Sequence, residues 1–392
     1  MPDAYITDYL RTAFTRAHPF KPEVDAWRNT PSQVLVAHLI DALLARNGLA
    51  GDAIEDLSLG CALPVGEQWS FGGRYPAWLS QLGVACPSRQ TDQQCGSGLA
   101  AIRSAVREIQ GGAIDMAIAA GHENMTRVPI GPSLFEKGLL TILPALREQE
   151  AVEVDTALNM GLTAERLANQ AGIERSAMDA FAVQSHQRAH AAQSRGWLAG
   201  ERLILTSTDG ETVSDDTCIR PDTSQDRLAE LPPAFSDEGR ISAGNSSPLT
   251  SGAAATLLMS ARGIDASGLE PLARIVQIAD VGVPPELMGS GAAEAARRVL
   301  ARAELTPDAI DYWEINEAFS AVSLHAIDRL GLDAERVNVN GGALALGHPL
   351  GATGVRLAGT LARILHDRGG RYGCASACIG GGQGIAMVIE RV

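Results

Sequence analysis

Gln94-Cys95-Gly96-Ser97-Gly98-Leu99 is the stretch that decides how this chain is read. A cysteine is followed by small residues and then by a run in which Leu99, Ile102, Val106 and Ile109 recur at helical spacing, with Arg103, Arg107 and Glu108 turned the other way. Gly111-Gly112 closes the run. Cys95 therefore precedes a helix. Unpaired N–H groups and the positive end of the helix dipole favour an anion there, so the thiol is expected to ionise below its free value of about 8.5. The small residues let an acyl group approach the backbone. A buried cysteine serving as a small hydrophobe is the competing reading.

Outward from that stretch, strand and helix alternate. Ala113 to Ala120 is an apolar run between Gly112 and Gly121 and reads as a buried strand. Upstream, Ala4 to Tyr9 and Ile54 to Gly60 read as strands. Ser32 is placed to cap a helix carrying Leu35, His38, Leu39, Ala42 and Leu43 on one side, and Tyr75 to Leu82 is helical. Ser88 to Gln94 is polar and reads as loop. The order implies an α/β protein with a largely parallel or mixed sheet. From His122 to about Leu249 the texture changes, with Pro129, Pro132 and Pro144, helices over Leu162 to Gln170 and from Ser176 to Gly196, and a polar loop from Thr206 to Pro233. This is the kind of insertion that builds a binding site.

The last third repeats the first. Tyr312 to Ile315 reads as a strand leading to Asn316-Glu317-Ala318-Phe319 and a helix with Val322, Leu324, Ile327 and Leu330. Val337 and Val339 alternate as in a strand, before Gly347-His348-Pro349-Leu350-Gly351, a helix with Val355, Ala358, Leu361 and Leu365, Gly369-Gly370, and a strand from Tyr372 toward Cys378. Each third places one reactive residue before a helix, which implies duplicated halves that bring Cys95 and His348 together. The division expected is 1–121, completed by about 250–270, an insertion over 122–249, and a second half over 271–392.

Composition narrows the function. Apolar residues make up 45% and charged ones 20%, a soluble balance, and the net charge of −14 argues against nucleic acid or an anionic membrane as partner. Cys61, Cys86, Cys95, Cys218, Cys374 and Cys378 are scattered as single thiols, which suits a reducing compartment. Met1 to Leu10 has no signal-peptide pattern, and no run approaches the roughly 18 apolar residues of a membrane span. A cytoplasmic location is expected.

Beside Cys95, His348 would take the thiol proton, the nucleophile–base pairing of covalent acyl transfer. Alone, a histidine is more often structural. Cys378 precedes Ile379-Gly380-Gly381-Gly382, whose N–H groups could form an oxyanion hole, and a second cysteine there could serve as acid or base. A buried apolar thiol is the plainer alternative. Asn316 could hold a water or simply cap a helix. Zinc on Cys374, Cys378 and His348 lacks a second close pair, and no metal is expected. Neither glycine-rich turn has phosphate-loop or dinucleotide spacing.

Cys95-Gly96-Ser97-Gly98, Asn316-Glu317-Ala318-Phe319, Gly347-His348-Pro349-Leu350-Gly351 and Cys378-Ile379-Gly380-Gly381-Gly382, in this order, resemble the thiolase family. Gly161 to Glu165, Arg220-Pro221, Ala243 to Ser247 and Gly252 to Ala255 extend the resemblance over essentially the whole chain. It implies a layered α-β-α-β-α sandwich of two related halves plus a loop domain. Cys95 would carry the acyl group and His348 would activate it. His348, with a water on Asn316, would bind the thioester oxygen of the second substrate. Cys378 would move the proton at the α-carbon or on coenzyme A, and the N–H groups of Cys95 and Gly380 would hold the acyl oxyanion. Arg220 and Ser247 match coenzyme A contacts, and Met160 is expected with them among the residues that bind substrate or coenzyme A.

Coenzyme A and acyl-CoA are substrates in this reading, with no permanently bound cofactor. A homodimer or homotetramer, or membership of a fatty-acid oxidation complex, is the family habit. Asn159-Met160-Gly161, where short-chain members tend to have His first, and His122-Glu123-Asn124-Met125 lean toward 3-ketoacyl-CoA degradation rather than acetoacetyl-CoA synthesis. Phe135, Leu139, Leu140, Ile142 and Leu143 are expected to shape the acyl pocket, with packing or interface residues as the competing reading. A decarboxylating ketoacyl synthase is disfavoured by Cys378 and the Asn316 motif, and a non-catalytic lipid carrier by retention of all four catalytic residues.

Overall fold

The computed structural model describes every residue except Met1, Pro132, Ser133, Phe135 and Lys137. Nine principal strands form one mixed sheet: β1 (Ala4–Thr12), β2 (Asp56–Gly60), β3 (Ser88–Thr91), β4 (Met116–Asn124), β5 (Thr250–Ser260), β6 (Ala273–Gly282), β7 (Tyr312–Ile315), β8 (Tyr372–Ile379) and β9 (Gln383–Arg391). Their order is β7-β8-β9-β6-β1-β5-β4-β2-β3. The main helices are α1 (Ser32–Asn47), α2 (Ser97–Gln110), α3 (Met160–Ala171), α4 (Arg175–Ser194), α5 (Gly291–Ala303), α6 (Ser320–Leu330) and α7 (Leu350–Arg368).

The duplication is visible in the pairing. In the first half β3 and β2 are parallel, β2 and β4 parallel, and β4–β5 and β5–β1 antiparallel. In the second half β7 and β8 are parallel, and β8–β9 and β9–β6 antiparallel. The position matching β3 is filled by one parallel bridge, Trp313 to Val337. The strand expected at Val337 and Val339 is thus reduced to a single pairing. Asn338 explains why: at φ 47° it turns out of the strand, and its side-chain amide bonds Ile315 N at 2.8 Å and Ile315 O at 2.9 Å in place of a ladder.

Two neighbouring expectations also change. Ser88–Thr91, read as loop, is a strand, because an edge strand exposed on one side needs backbone pairing rather than an apolar run. Ser32 is the first residue of α1 rather than its cap, and its hydroxyl meets His122 Nδ1 at 2.8 Å. His38 is exposed. The helix expected from Ser176 begins at Arg175 with no side-chain cap.

Strand alternation then builds five layers. Ala117 and Ala119 of β4, Ala375, Ala377 and Ile379 of β8, and Ile385, Met387 and Ile389 of β9 pack on α2 and α7 in one core. The opposite faces pack on α1 in the first half and on α5 and α6 in the second. Both central helices run between the half-sheets, and their approach is set by glycine. A Cβ on Gly98 would lie 2.7 Å from Gly351 O, one on Gly354 2.2 Å from Leu99 N, and one on Gly121 1.9 Å from Gly351 O. No helix among the described residues is long and apolar enough to cross a membrane.

Candidate active site

Cys95 sits on a single 3-10 turn, Gln94–Gly96, between β3 and α2. Gln94 has a φ of 45°, and its N–H donates to Asp92 Oδ1 at 3.0 Å. Ser97 Oγ accepts from Gln93 N–H at 2.9 Å and donates to Gln94 O at 2.6 Å. Side chains on both sides therefore fix the strained residue before Cys95. A Cβ on Gly96 would stand 2.4 Å from Ile379 Cδ1, so the turn presses on the end of β8, where Cys378 and Gly380 flank Ile379.

Gly380 N–H and the N–H of Cys95 itself both act on the Cys95 sulfur. Both donors therefore stand next to the sulfur, and an oxyanion hole needs two donors aimed at the oxygen that forms beside it. Burial nevertheless lifts the Cys95 thiol to about 11, with the Glu123 charge adding to it. This overturns the expectation from the helix start: desolvation of a thiolate in a site 8% exposed outweighs two N–H groups and a dipole. Cys378 is fully buried and its thiol is pushed up as well, first by burial and then by the Cys95 charge, so the two sulfurs lie within electrostatic reach.

His348 comes from the other half. Gly347, at φ 101°, leaves room for Thr250 of β5, whose Oγ1 accepts the His348 N–H at 3.1 Å. Its ring faces Thr353 Oγ1 through Nδ1 at 2.6 Å and Asn316 Nδ2 through Nε2 at 3.3 Å. Burial, followed by the Arg356 cation, holds the ring down to about 3, so it is neutral at rest. α7, which starts two residues later, packs on the Cys95 turn, and Leu350 shares a small apolar cluster with Cys95. Among the described residues no hydrogen bond yet joins Cys95 to His348.

Asn316 follows β7 and donates its N–H to Ser376 O at 2.9 Å, and it does not cap α6, which begins at Ser320. Its Oδ1 is buried without a partner. Met160 begins α3, where Asn159 Oδ1 caps Gly161 and Leu162 N–H, and its Sδ lies 3.3 Å from where a Gly380 Cβ would be. Cys95, Cys378, Gly380, Met160, His348 and Asn316 are thus tied to one place through these contacts. Ser247 is linked to it through its N–H on Ala318 O at 3.0 Å. Arg220 is exposed and apart, its N–H on His186 Nδ1 at 3.1 Å. Leu139, Leu140 and Leu143 are 42, 38 and 68% exposed rather than lining a buried pocket, and Phe135 lies outside the described residues.

Sequence reasoning assigned no role to Glu123, Thr353 or Arg356. Glu123 Oε2 accepts Ala62 N–H and Gly351 N–H at 3.0 Å each, and Oε1 accepts from Gln68 Nε2 at 2.6 Å. It caps α7 from the opposite half, and burial raises its carboxyl to about 7. A charged residue ending a continuous apolar strand was the available signal. Arg356, fully buried, pairs with buried Glu314.

The chain is similar along its length to proteins of known family. The family models for the thiolase N-terminal and C-terminal domains match residues 5–262 and 269–391. A 3-ketoacyl-CoA thiolase of Hahella chejuensis is 38% identical over 100% of this chain and 98% of its own. An acetyl-CoA acetyltransferase of Shinella zoogloeoides is 40% identical over 93% of this chain and 94% of its own. A beta-ketoadipyl-CoA thiolase of Pseudomonas aeruginosa is 38% identical over 100% and 99%.

Proposed function

The chain belongs to the thiolase family and is a coenzyme A-linked acyltransferase, and we propose that it cleaves 3-ketoacyl-CoA with coenzyme A through an acyl-enzyme on Cys95. What supports this is the Gly380 N–H against the Cys95 sulfur, with the Cys378 thiol in electrostatic reach of that sulfur and a neutral His348 paired with Asn316. His348 Nε2 takes the Cys95 proton as sulfur attacks the keto carbon. The oxyanion forms against the Cys95 and Gly380 N–H groups, each such donor contributing about 2.7–4 kcal/mol. The bond to the α-carbon then breaks, and its electron pair becomes an acetyl-CoA enolate whose oxygen faces His348 and Asn316.

Cys378 delivers its proton to the α-carbon, and acetyl-CoA leaves. The Cys378 thiolate next takes the proton of coenzyme A, whose sulfur attacks the acyl carbon and expels Cys95. His348 returns the first proton to Cys95. A neutral pair at rest means that the ion pair forms only once an oxyanion develops to balance it. The high thiol value also suits Cys378 as a proton donor to carbon.

In the same proposal 122–249 forms the coenzyme A side, with Arg220 and Ser247 as contacts, in a cytoplasmic enzyme of acyl degradation. The relatives carry three different substrate names, so chain length is the variable to test. The ultraviolet absorbance of magnesium-chelated acetoacetyl-CoA, and of longer 3-ketoacyl-CoA, should fall when protein and coenzyme A are added, fastest for one of the longer chains. A flat trace at every length would contradict thiolysis, and a preference for acetoacetyl-CoA would favour the short-chain reading.

A further inference from the structure

In the proposed reaction one oxyanion donor, the Gly380 N–H, stands on backbone with no side chain of its own to hold it. Gly380, Gly381 and Gly382 join β8 to β9, the last two at φ 84° and 80°. The far end of this turn is tied down: Gly382 O accepts the Val283 N–H at 2.8 Å, and a Cβ on Gly382 would lie 2.5 Å from Val283 O. Gly380 is held differently. The space its side chain would take is filled from outside, with Met160 Sδ 3.3 Å and Gln94 Cγ and Cβ 3.6 and 3.7 Å from the place of a Cβ.

Gln94 is itself held at its other end. Its side-chain Nε2 donates to Ala62 O at 3.2 Å and faces Asp92 Oδ1 at 3.5 Å, the carboxylate oxygen that also accepts the Gln94 N–H. Ala62 is fixed in turn, because its N–H lies on Glu123 Oε2 at 3.0 Å, and that oxygen also takes the N–H of Gly351, three residues after His348. One chain of contacts therefore runs from the start of α7 through Glu123, Ala62 and Gln94 to Gly380. The backbone of Gln94, at φ 45°, is in a region that side chains other than glycine's lack seldom adopt, so the chain accepts strain at this residue while keeping a long side chain there.

We infer that Gln94 is a positioning residue of the oxyanion hole, its Cβ–Cγ stem bracing Gly380 and its amide pinning that stem to Ala62 O, so that the Gly380 N–H stays aimed beside the Cys95 sulfur. A donor displaced by about 1 Å can cost as much as 100-fold in rate. Substrate binding does not depend on that aim, because the oxyanion is present only in the transition state and the intermediate. The inference rests on the thiolase reading and is tested apart from it.

In steady-state thiolysis, Gln94→Ala, which cuts the stem at Cβ and removes the pin, should lose on the order of 10- to 100-fold in kcat with KM within about twofold. Gln94→Met keeps the stem without the amide and should stay within about fivefold of wild type. Gln94→Gly, which takes up the same φ without strain, serves if the alanine variant fails to fold by circular dichroism. An alanine or glycine variant that folds and turns over within about twofold of an active wild type would overturn the inference alone. So would a folded methionine variant as slow as alanine, or a loss that falls on KM with kcat unchanged. A wild type with no turnover would overturn the thiolase reading and this inference with it.

Discussion

At Cys95 two effects oppose each other, and their sizes decide how the site rests. The N–H groups of Gly380 and Cys95 favour a thiolate, but burial places the thiol at about 11. Because the folded value lies above neutral, the thiolate fraction rises with pH through the whole range from 7 to 10. Alkylation of Cys95 by iodoacetamide, located by peptide mapping, should therefore accelerate about tenfold per pH unit over that range. A plateau reached by pH 8 would show an ion pair already formed in the free enzyme. Cys95 and His348 could be singled out in the sequence because each stands at a glycine-rich turn before a helix, whereas Cys378 leads a glycine turn between two strands and Asn316 a turn without glycine. The sign of the Cys95 shift was not legible, since local sequence reports the helix start but not the depth of burial. Thr353 was hidden for a related reason: a threonine inside an apolar helix has no pattern that marks its ring partner.

At the scale of elements, the site depends on how closely α2 and α7 approach. Gly121 at the end of β4 takes Gly351 O into the space of its missing side chain. Gly121→Ala should lower stability by at least about 1–3 kcal/mol, because the atom to be moved is helix backbone rather than the end of a flexible side chain. Thermal denaturation with a midpoint equal to wild type would contradict that account of the helix crossing. Glu123 works at the same junction, capping α7 from the other half through Gly351 N–H. Helices α1, α2, α3, α4, α6 and α7 were readable from apolar spacing, as were β2, β4, β7 and β8 from short apolar runs, while α5 was not read. β3 was missed because Ser88, Arg89, Gln90 and Thr91 are polar and owe their conformation to pairing with β2. The strand expected at Val337 failed because the Asn338 side chain occupies the place of the ladder. Alternation of valines does not reveal such competition.

For the whole molecule, the repeat read from sequence is a repeat of strand order and direction, joined where β1 meets β6 at Tyr5 and Ile6. For the proposed reaction the consequence is that neither half holds a complete site. Cys95 and the Glu123 clamp come from the first half, and His348, Asn316, Cys378 and Gly380 from the second. Thr250 of β5 reaches across to hold His348, so His348 is positioned by the half it does not belong to. The exposed apolar residues of the insertion were legible as residues but not as surface, since hydropathy alone does not say which apolar side chains find a core. The claim under all of this is that the shared site forms a thioester on one particular sulfur. Brief exposure to an acyl-CoA without free coenzyme A, followed by intact-mass measurement and peptide mapping, should find one acyl group on Cys95, absent from Cys95→Ser and retained by Cys378→Ala. An acyl group mapped to any other residue, or none on a folded wild-type protein, would contradict it.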